Sequence, residues 1–328
     1  MQNIFVITHA NDLDGICSAA LVRMKYGTST DNIFFTDYSD ARVRYAFGRV
    51  SKLAKSMDSV FITDFAAEKY HERYFMKVIG TLRRRGVNVI WLDHHPWPKS
   101  TERIAKLCNL AVFGESSMCA TDIAAKIMDL NEPGVSQMVA IVHRADFAIY
   151  ARDKAENMLT EKYGTLIVYY DMFGAAKMNM GLRRLVAFVC KDKLVHVFDN
   201  KLADRLELES DRNIAACLKQ VKYADKGIAV AFISGKHFLN KQNALMRMKN
   251  KRKNSIVMLV DTDTGKGSIR NRKNSGKDIS KLAAVLGGGG HPHAAGFTLK
   301  KDYRLKTEHG RKSLLKEIED AAKSLCLC

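Results

Sequence analysis

Three consecutive residues able to bind a metal, Asp93-His94-His95, follow directly on the apolar run Val89-Ile90-Trp91-Leu92. Such a run reads as a buried strand. A carboxylate and two imidazoles at its end are costly polar groups that few purely structural needs call for. Near the start of the chain, Thr8-His9-Ala10-Asn11-Asp12-Leu13-Asp14-Gly15 supplies one more imidazole and two carboxylates spaced by two. Carboxylate oxygen with imidazole nitrogen suits Mn2+ or a similar divalent ion better than a soft-metal thiolate site. Asp12 and Asp14 are equally placed to cap a helix beginning at Gly15. Asp64 closes the apolar Phe61-Ile62-Thr63, and Asp146 follows Ala140-Ile141-Val142-His143-Arg144-Ala145. Either could complete a ligand set, and either could be an ordinary cap. His143 and Arg144 could support a ligand, contact phosphate or simply face solvent.

These residues must be brought together by the elements that carry them. Residues 4–8, 59–63 and 87–92 read as strands, and 15–26 and 68–85 as helices. Strand, helix, strand in this rhythm predicts a parallel sheet with crossover helices. Ligands of such sheets sit beyond the carboxyl ends of the strands, where Asp12, Asp14, Asp64, Asp93, His94 and His95 all fall. Helical patterns follow at 121–130, closed by the turn-forming Asn131-Glu132-Pro133-Gly134, and at 136–143. Residues 201–221, rich in charge and free of Pro and Gly, read as a linker helix. A new β pattern begins at 227–234, followed by a helix at 239–248 and strands at 255–261 and 267–271 joined by Thr262-Asp263-Thr264-Gly265. A last helix, 279–286, runs into Gly287-Gly288-Gly289-Gly290-His291-Pro292-His293. Four glycines form a backbone that a ligand can approach closely, with amides free to grip phosphate.

At 328 residues, 47% of them hydrophobic and only four of them proline, the chain is long and apolar enough for two cores, which excludes extended disorder. Seven scattered cysteines without a Cys-x-x-Cys pair fit free thiols in a reducing compartment. No signal peptide and no membrane-spanning run is evident, so a soluble, cytoplasmic protein is expected. The formal net charge is +18, and residues 223–328 hold 22 Lys+Arg against 9 Asp+Glu, which is +13 of it. That excess makes a nucleic-acid polyanion the leading partner. Anionic membrane is the weaker alternative, because the basic segments lack a Trp/Phe/Leu-rich face.

The series His9-x-x-Asp12-x-Asp14-Gly15, Asp64, Asp93-His94-His95 and Asp146, with Gly287-Gly288-Gly289-Gly290-His291 near the end, resembles the DHH phosphoesterases that carry a C-terminal DHH-associated domain. That family includes RecJ-type exonucleases, nanoRNases that also act on 3′-phosphoadenosine 5′-phosphate, and cyclic-dinucleotide phosphodiesterases. The resemblance implies an α/β fold: a parallel-sheet catalytic domain over 1–195, a linker helix over 196–222, and a smaller mixed α/β substrate-binding domain over 223–328. It implies two Mn2+ ions, with Mg2+ or Co2+ as alternatives. His9 and Asp12 would hold the first ion, Asp14, His94 and Asp146 the second, with Asp64 bridging. Asp93 would orient a ligand and His95 would face the scissile phosphate. Arg270, Gly288, Gly289, Gly290, His291 and His293 would bind substrate, helped by Lys249-Asn250-Lys251-Arg252-Lys253 and Arg272-Lys273 along the backbone. Two departures from the usual pattern bear on the subfamily: Asn11 opens the first motif, and Asn271 follows Arg270 where Ser is common, which would alter base or sugar contacts.

The implied reaction is hydrolysis of single-stranded DNA or RNA or of short oligonucleotides, from the 5′ end, by water activated between two ions. The alternatives are a 3′-phosphoadenosine 5′-phosphate phosphatase or cyclic-dinucleotide phosphodiesterase, and a non-catalytic scaffold that binds nucleic acid. A homodimer and association with replication or repair proteins are further partners consistent with the resemblance.

Overall fold

The computed structural model describes residues 2–147, 149, 151–225, 227–234, 238–251, 255–271 and 276–327, with backbone alone at 225, 242, 243, 249–251 and 291. Two compact units emerge, Met1–Asp204 and Arg205–Cys328.

In the first unit the elements run β1 (Ile4–His9), α1 (Leu13–Tyr26), β2 (Ile33–Thr36), α2 (Asp40–Leu53), β3 (Ser59–Thr63), α3 (Glu72–Arg84), β4 (Asn88–Leu92), α4 (Glu102–Ala105) and β5 (Leu110–Val112). Helices α5 (Ala120–Ile127), α6 (Pro133–Asp146), α7 (Lys154–Asp171) and α8 (Ala175–Asp192) follow. The five strands pair in the order β2-β1-β3-β4-β5, every pair parallel. β3 is buried along its whole length, as expected of a sheet covered on both faces. Alternate strand residues Phe5, Ile7, Val60, Ile62, Val89 and Trp91 form one core with Phe47 of α2 and Phe75 and Ile79 of α3. On the other side α1 packs against α5, α6 and α8. In this strand order the direction of winding across the sheet reverses between β1 and β3, and the crevice at the carboxyl ends there is where such sheets bind ligands.

Sequence and structure differ in instructive places. β2, α2 and β5 have no counterpart in the sequence reading: β2 and β5, of four and three residues, are too short to show a period, and α2 is a charged helix with few buried positions. Pro133, taken as a helix stop, is the first residue of α6, where its missing N–H is no loss.

The second unit begins inside α9 (Asn200–Lys219), the helix expected as a linker. Its far end is not a free spacer: Ile214 and Cys217 are buried in a core with Ala229, Leu245, Met248 and Leu259. Then come β6 (Lys222–Asp225), β7 (Ile228–Ile233), α10 (Lys241–Lys251), β8 (Ile256–Asp261), β9 (Lys266–Asn271), α11 (Ile279–Leu286), β10 (Gly288–His291), β11 (Ala294–Thr298) and α12 (Glu308–Ser324). The sheet order is β10-β11-β9-β8-β7-β6, parallel only at β7·β8, so this half is a mixed α/β unit. α11 and α12 cover its second face through Leu282, Leu286, Leu314 and Ile318. The tetraglycine segment, expected as a backbone that a ligand can approach closely, is largely the edge strand β10, paired to β11 on one side.

Candidate metal centre

Three neighbouring strands, β1, β3 and β4, end side by side and deliver His9, Asp64 and Asp93-His94-His95 to one crevice. Immediately behind it a buried hydroxyl relay ties the strands to α1: Ser18 Oγ donates to Thr63 Oγ1, Thr63 Oγ1 to Thr8 Oγ1, and Thr8 Oγ1 to the Gly15 carbonyl. The start of α1 runs so close to β1 that a Cβ at Gly15 would lie 2.2 Å from the His9 carbonyl oxygen. Gly15 is therefore required to bring Asp12 and Asp14 against the strand end.

Each acidic residue is positioned by backbone. Asp12 caps α1, accepting from Gly15 N at 3.0 Å, and sets its other oxygen 2.8 Å from His9 Nδ1. Asp14 is buried in the first turn and accepts from Ala120 N and Thr121 N at the start of α5, at 2.8 and 2.7 Å. A carboxylate offers about four lone pairs, so capping α5 leaves Asp14 able to serve an ion as well. Asp64 adopts a left-handed backbone, φ 51°, which is costly for a residue with a Cβ. The turn sends its carboxylate between two groups. Oδ2 lies 3.5 Å from His9 Nδ1, while Oδ1 lies 3.6 Å from His94 Nε2 and 3.9 Å from His95 Nδ1. His94 Nε2 also stands 3.7 Å from Asp146 Oδ2 and 4.0 Å from Asp14 Oδ2.

Asp93 is fully buried and turned away from this cluster: Oδ1 takes His95 Nδ1 at 2.8 Å and Oδ2 takes the Trp97 indole N–H at 2.8 Å. Trp97 was absent from the sequence reading; nothing local distinguishes it from a core aromatic, and only the turn after β4 brings it to Asp93. Tyr38 was missed for the same reason. It lies beside His9 with ring centroids 5.5 Å apart and stacks on Phe65.

The electrostatics are those of too many carboxylates in too little water. Burial, then the charges of Asp12 and Asp14, push Asp64 well above the carboxylate range. Burial and Asp14, opposed by His94, raise Asp146 to about 7. At His9 burial disfavours the imidazolium, yet Asp12 and Asp64 outweigh it and hold the ring protonated well above its ordinary value. His95 is raised more mildly, its burial outweighed by Asp93. Two buried atoms at the centre, Asp64 Oδ2 and His94 Nε2, make no hydrogen bond among the described residues. Buried polar atoms without partners are rare, and here they face a hard-donor set short of positive charge. Three donor groups close enough to hold an ion meet at this point: His9, Asp12 and Asp64; Asp64, His94 and His95; and Asp14, His94 and Asp146. The residues present fit divalent metal.

In the second unit, Arg270 is the penultimate residue of β9 and half-buried, its guanidinium donating to the Ile269 carbonyl at 2.9 Å. Its neighbour Asn271 is only 3% exposed and does not face a ligand as expected. Its amide donates to the carbonyls of Lys277 and Pro292, and its oxygen meets His293 Nδ1 at 2.8 Å. Asn271 thus pins the turn after β10, and its tie to the exposed His293 orients that ring. Gly288 and Gly290 are dictated by β11, since a Cβ would lie 2.0 Å from Gly296 O and 2.7 Å from Ala295 Cα respectively; Gly289 alone would meet nothing. The His291 side chain, the basic run Lys249 to Lys253 and Arg272-Lys273 lie outside the described residues or side chains.

Residues 3–169 match the family model described as the DHH family, N-terminal domain, and residues 225–324 match the DHHA1 domain. Among solved structures, an exopolyphosphatase-related protein from Bacteroides fragilis aligns with TM-score 0.57 at 14% identity, covering 99% of this chain and 93% of that one. A pGpG-specific phosphodiesterase from Vibrio cholerae aligns with TM-score 0.56 at 13% identity, covering 97% and 99%. At such identities these two speak for the fold. No curated protein matched the sequence. With the first match spanning just over half of its length and the second following in order, the chain belongs to the DHH family of metal-dependent phosphoesterases.

Proposed function

We propose that this protein is a manganese-dependent phosphodiesterase that hydrolyses single-stranded nucleic acid or short oligonucleotides, releasing nucleotides from the 5′ end. The observation that carries the reading is Asp64, whose two oxygens face two separate donor groups while one of them makes no hydrogen bond among the described residues. His9 and Asp12 would hold one ion, Asp14, His94 and Asp146 the other, and Asp64 both. Two bound ions would supply an activated water and charge neutralisation at the phosphate. Asp93, by accepting from His95 Nδ1 and favouring the protonated ring, lets the Nε2–H donate to a phosphate oxygen. Residues 1–195 are the catalytic part, 196–222 a connecting segment that contains α9, and 223–328 the substrate-binding part with Arg270, Gly288, Gly289, Gly290, His291 and His293. The basic charge of that half favours a polyanionic strand, held with weak sequence preference and strong salt dependence. Among the described residues no helix is long and apolar enough to cross a membrane.

A second reading, a dinucleotide phosphodiesterase, is favoured by the end-to-end alignment with the pGpG-specific enzyme. The scaffold reading is disfavoured by the complete donor set. An assay with Mn2+ on 5′-labelled oligonucleotides of graded length, with pGpG and 3′-phosphoadenosine 5′-phosphate alongside, separates these. Turnover that rises with strand length supports the first reading, and turnover confined to the two small substrates supports the second. No turnover of any substrate, or undiminished turnover by Asp64→Ala, refutes both.

A further inference from the structure

Outside the centre, one cluster of chemistry-bearing side chains is unexplained: Cys119, Asp122 and His143, whose donor atoms come within 4.8 Å of one another. It differs from the metal centre in one respect. Asp122 Oδ2 accepts from both Cys119 N, at 2.9 Å, and His143 Nδ1, at 2.7 Å, and no nitrogen or oxygen of the three is among the buried atoms lacking a partner. A group satisfied from within needs no ion. Its value lies in what it joins. Asp122 sits in the first turn of α5, the turn whose Ala120 and Thr121 amides hold the Asp14 carboxylate. His143 sits one turn before Asp146 on the same face of α6. Beyond it the Phe147 ring lies 4.7 Å from His143 and 6.3 Å from His94, centroid to centroid.

We propose that the Asp122–His143 hydrogen bond is a positioning device for the second ion: it locks α5 to α6 and so sets Asp146 against Asp14 and His94. This rests on the two-ion reading above. Those three donors come from α1, the end of β4 and α6; α5 holds the Asp14 carboxylate through two backbone amides, and the Asp122–His143 bond ties that turn to α6 beside Asp146. A half-buried carboxylate–imidazole bond is directional, unlike the apolar packing between the two helices, so it holds a distance that packing alone leaves loose. His143 is then no ligand and no substrate contact, although with Asp122, Asn131 and Ser136 it borders an open pocket of about 360 Å³.

The test is a Mn2+ titration, by calorimetry and by electron paramagnetic resonance, of wild type, His143→Ala, His143→Gln and Asp122→Asn, with circular dichroism and steady-state kinetics on each. Expected is a loss of about 10-fold in affinity for one of the two ions in His143→Ala, the size usual for groups that orient ligands. The other ion should bind unchanged, kcat should fall with little change in KM at limiting Mn2+, and His143→Gln, which keeps a donor toward Asp122, should recover most of the loss. If His143→Ala does not fold, Asp122→Asn carries the test, since it keeps an acceptor for Cys119 N but weakens the bond to His143. Unaltered affinity for both ions in a folded variant, a rise in KM alone, or no rescue by Gln overturns the proposal. So does a stoichiometric ion held through Cys119 and lost in Cys119→Ser. Wild type that binds no divalent ion refutes the two-ion reading itself; wild type that binds two while His143→Ala matches it refutes only the positioning role.

Discussion

His94 Nε2 and Asp64 Oδ1 stand 3.6 Å apart, too far for a hydrogen bond and close enough for one ion to join them. The same Asp64 turns its other oxygen toward His9 through a backbone held at φ 51°. Asn tolerates that conformation well, so Asp64→Asn isolates the charge from the fold. The variant is expected to fold, to bind Mn2+ with loss of the two-ion stoichiometry, and to lose activity by at least about 100-fold. Its metal-free form should match or exceed wild type in thermal stability, because a buried carboxylate with a raised pKa is replaced by a neutral amide. Two ions still bound by Asp64→Asn would remove Asp64 from the bridging position.

Asp146 gives a pH dependence with a definite sign. In the metal-free fold its pKa is about 7, against 3.8 ordinarily, through burial first and Asp14 second. Between those values the folded protein keeps a proton that the unfolded chain has lost, so this group's stabilisation is complete below about pH 4 and is lost as pH rises through 7. An ion must displace that proton. Binding measured near pH 6 in buffers of different ionisation enthalpy should release on the order of one proton, and affinity should climb up to about pH 7. Asp146→Asn should reduce that release, leaving the part that comes from Asp64 and His9, and stabilise the metal-free protein by about 1–2 kcal/mol, as relief of a functional strain commonly does. Heats identical in all buffers would contradict the assignment.

The glycines of β10 should separate under substitution. Gly290→Ala places a Cβ 2.7 Å from the Ala295 Cα at φ 137°, so the second unit should be strongly destabilised. Gly289→Ala meets nothing and should melt as wild type does. If substrate phosphate approaches this strand, Gly289→Ala should raise KM several-fold with bound manganese unchanged. An unaffected KM would mean that the substrate lies elsewhere.

His71 should tune acid stability away from the centre. It is 2% exposed, neither ring nitrogen makes a hydrogen bond among the described residues, and the Asp40 carboxylate lies 3.5 Å away. Burial lowers its pKa below 6.5, with Asp40 opposing incompletely. The unfolded chain then takes up a proton first as pH falls, so the stability present above pH 6.5 declines below it. His71→Phe, among Tyr70 and Phe75, should gain more over wild type in urea denaturation at pH 5 than at pH 7.5. Equal differences at both pH values would show that His71 does not titrate with folding.

Elements with a strong pattern were legible in detail. The strand Ser59–Thr63 and the helix Ile279–Leu286 occur at the residues expected, because an uninterrupted apolar run and a clean amphipathic stretch leave no competing assignment. The glycine segment misleads because glycine has no β preference of its own. Its extended form is imposed by pairing with Ala294–Thr298, which the local residues do not encode.

At the centre, residue type and order alone marked Asp93-His94-His95, His9, Asp12 and Asp14 as one kind of chemistry, since hard donors at strand ends have few other uses. They also located the positive charge in the last third of the chain. What folding decided is the division of labour among those donors. Asp93 is spent on His95 and Trp97, Asp14 caps a helix some hundred residues later, and Asp64 turns between two groups. Asn271 became a structural pin rather than a ligand contact. Hydrogen bonds are directional and reach about 3 Å, so which donor meets which acceptor depends on how strands and helices converge. That convergence is a property of the packed core, set by all its apolar residues together and written in no single motif.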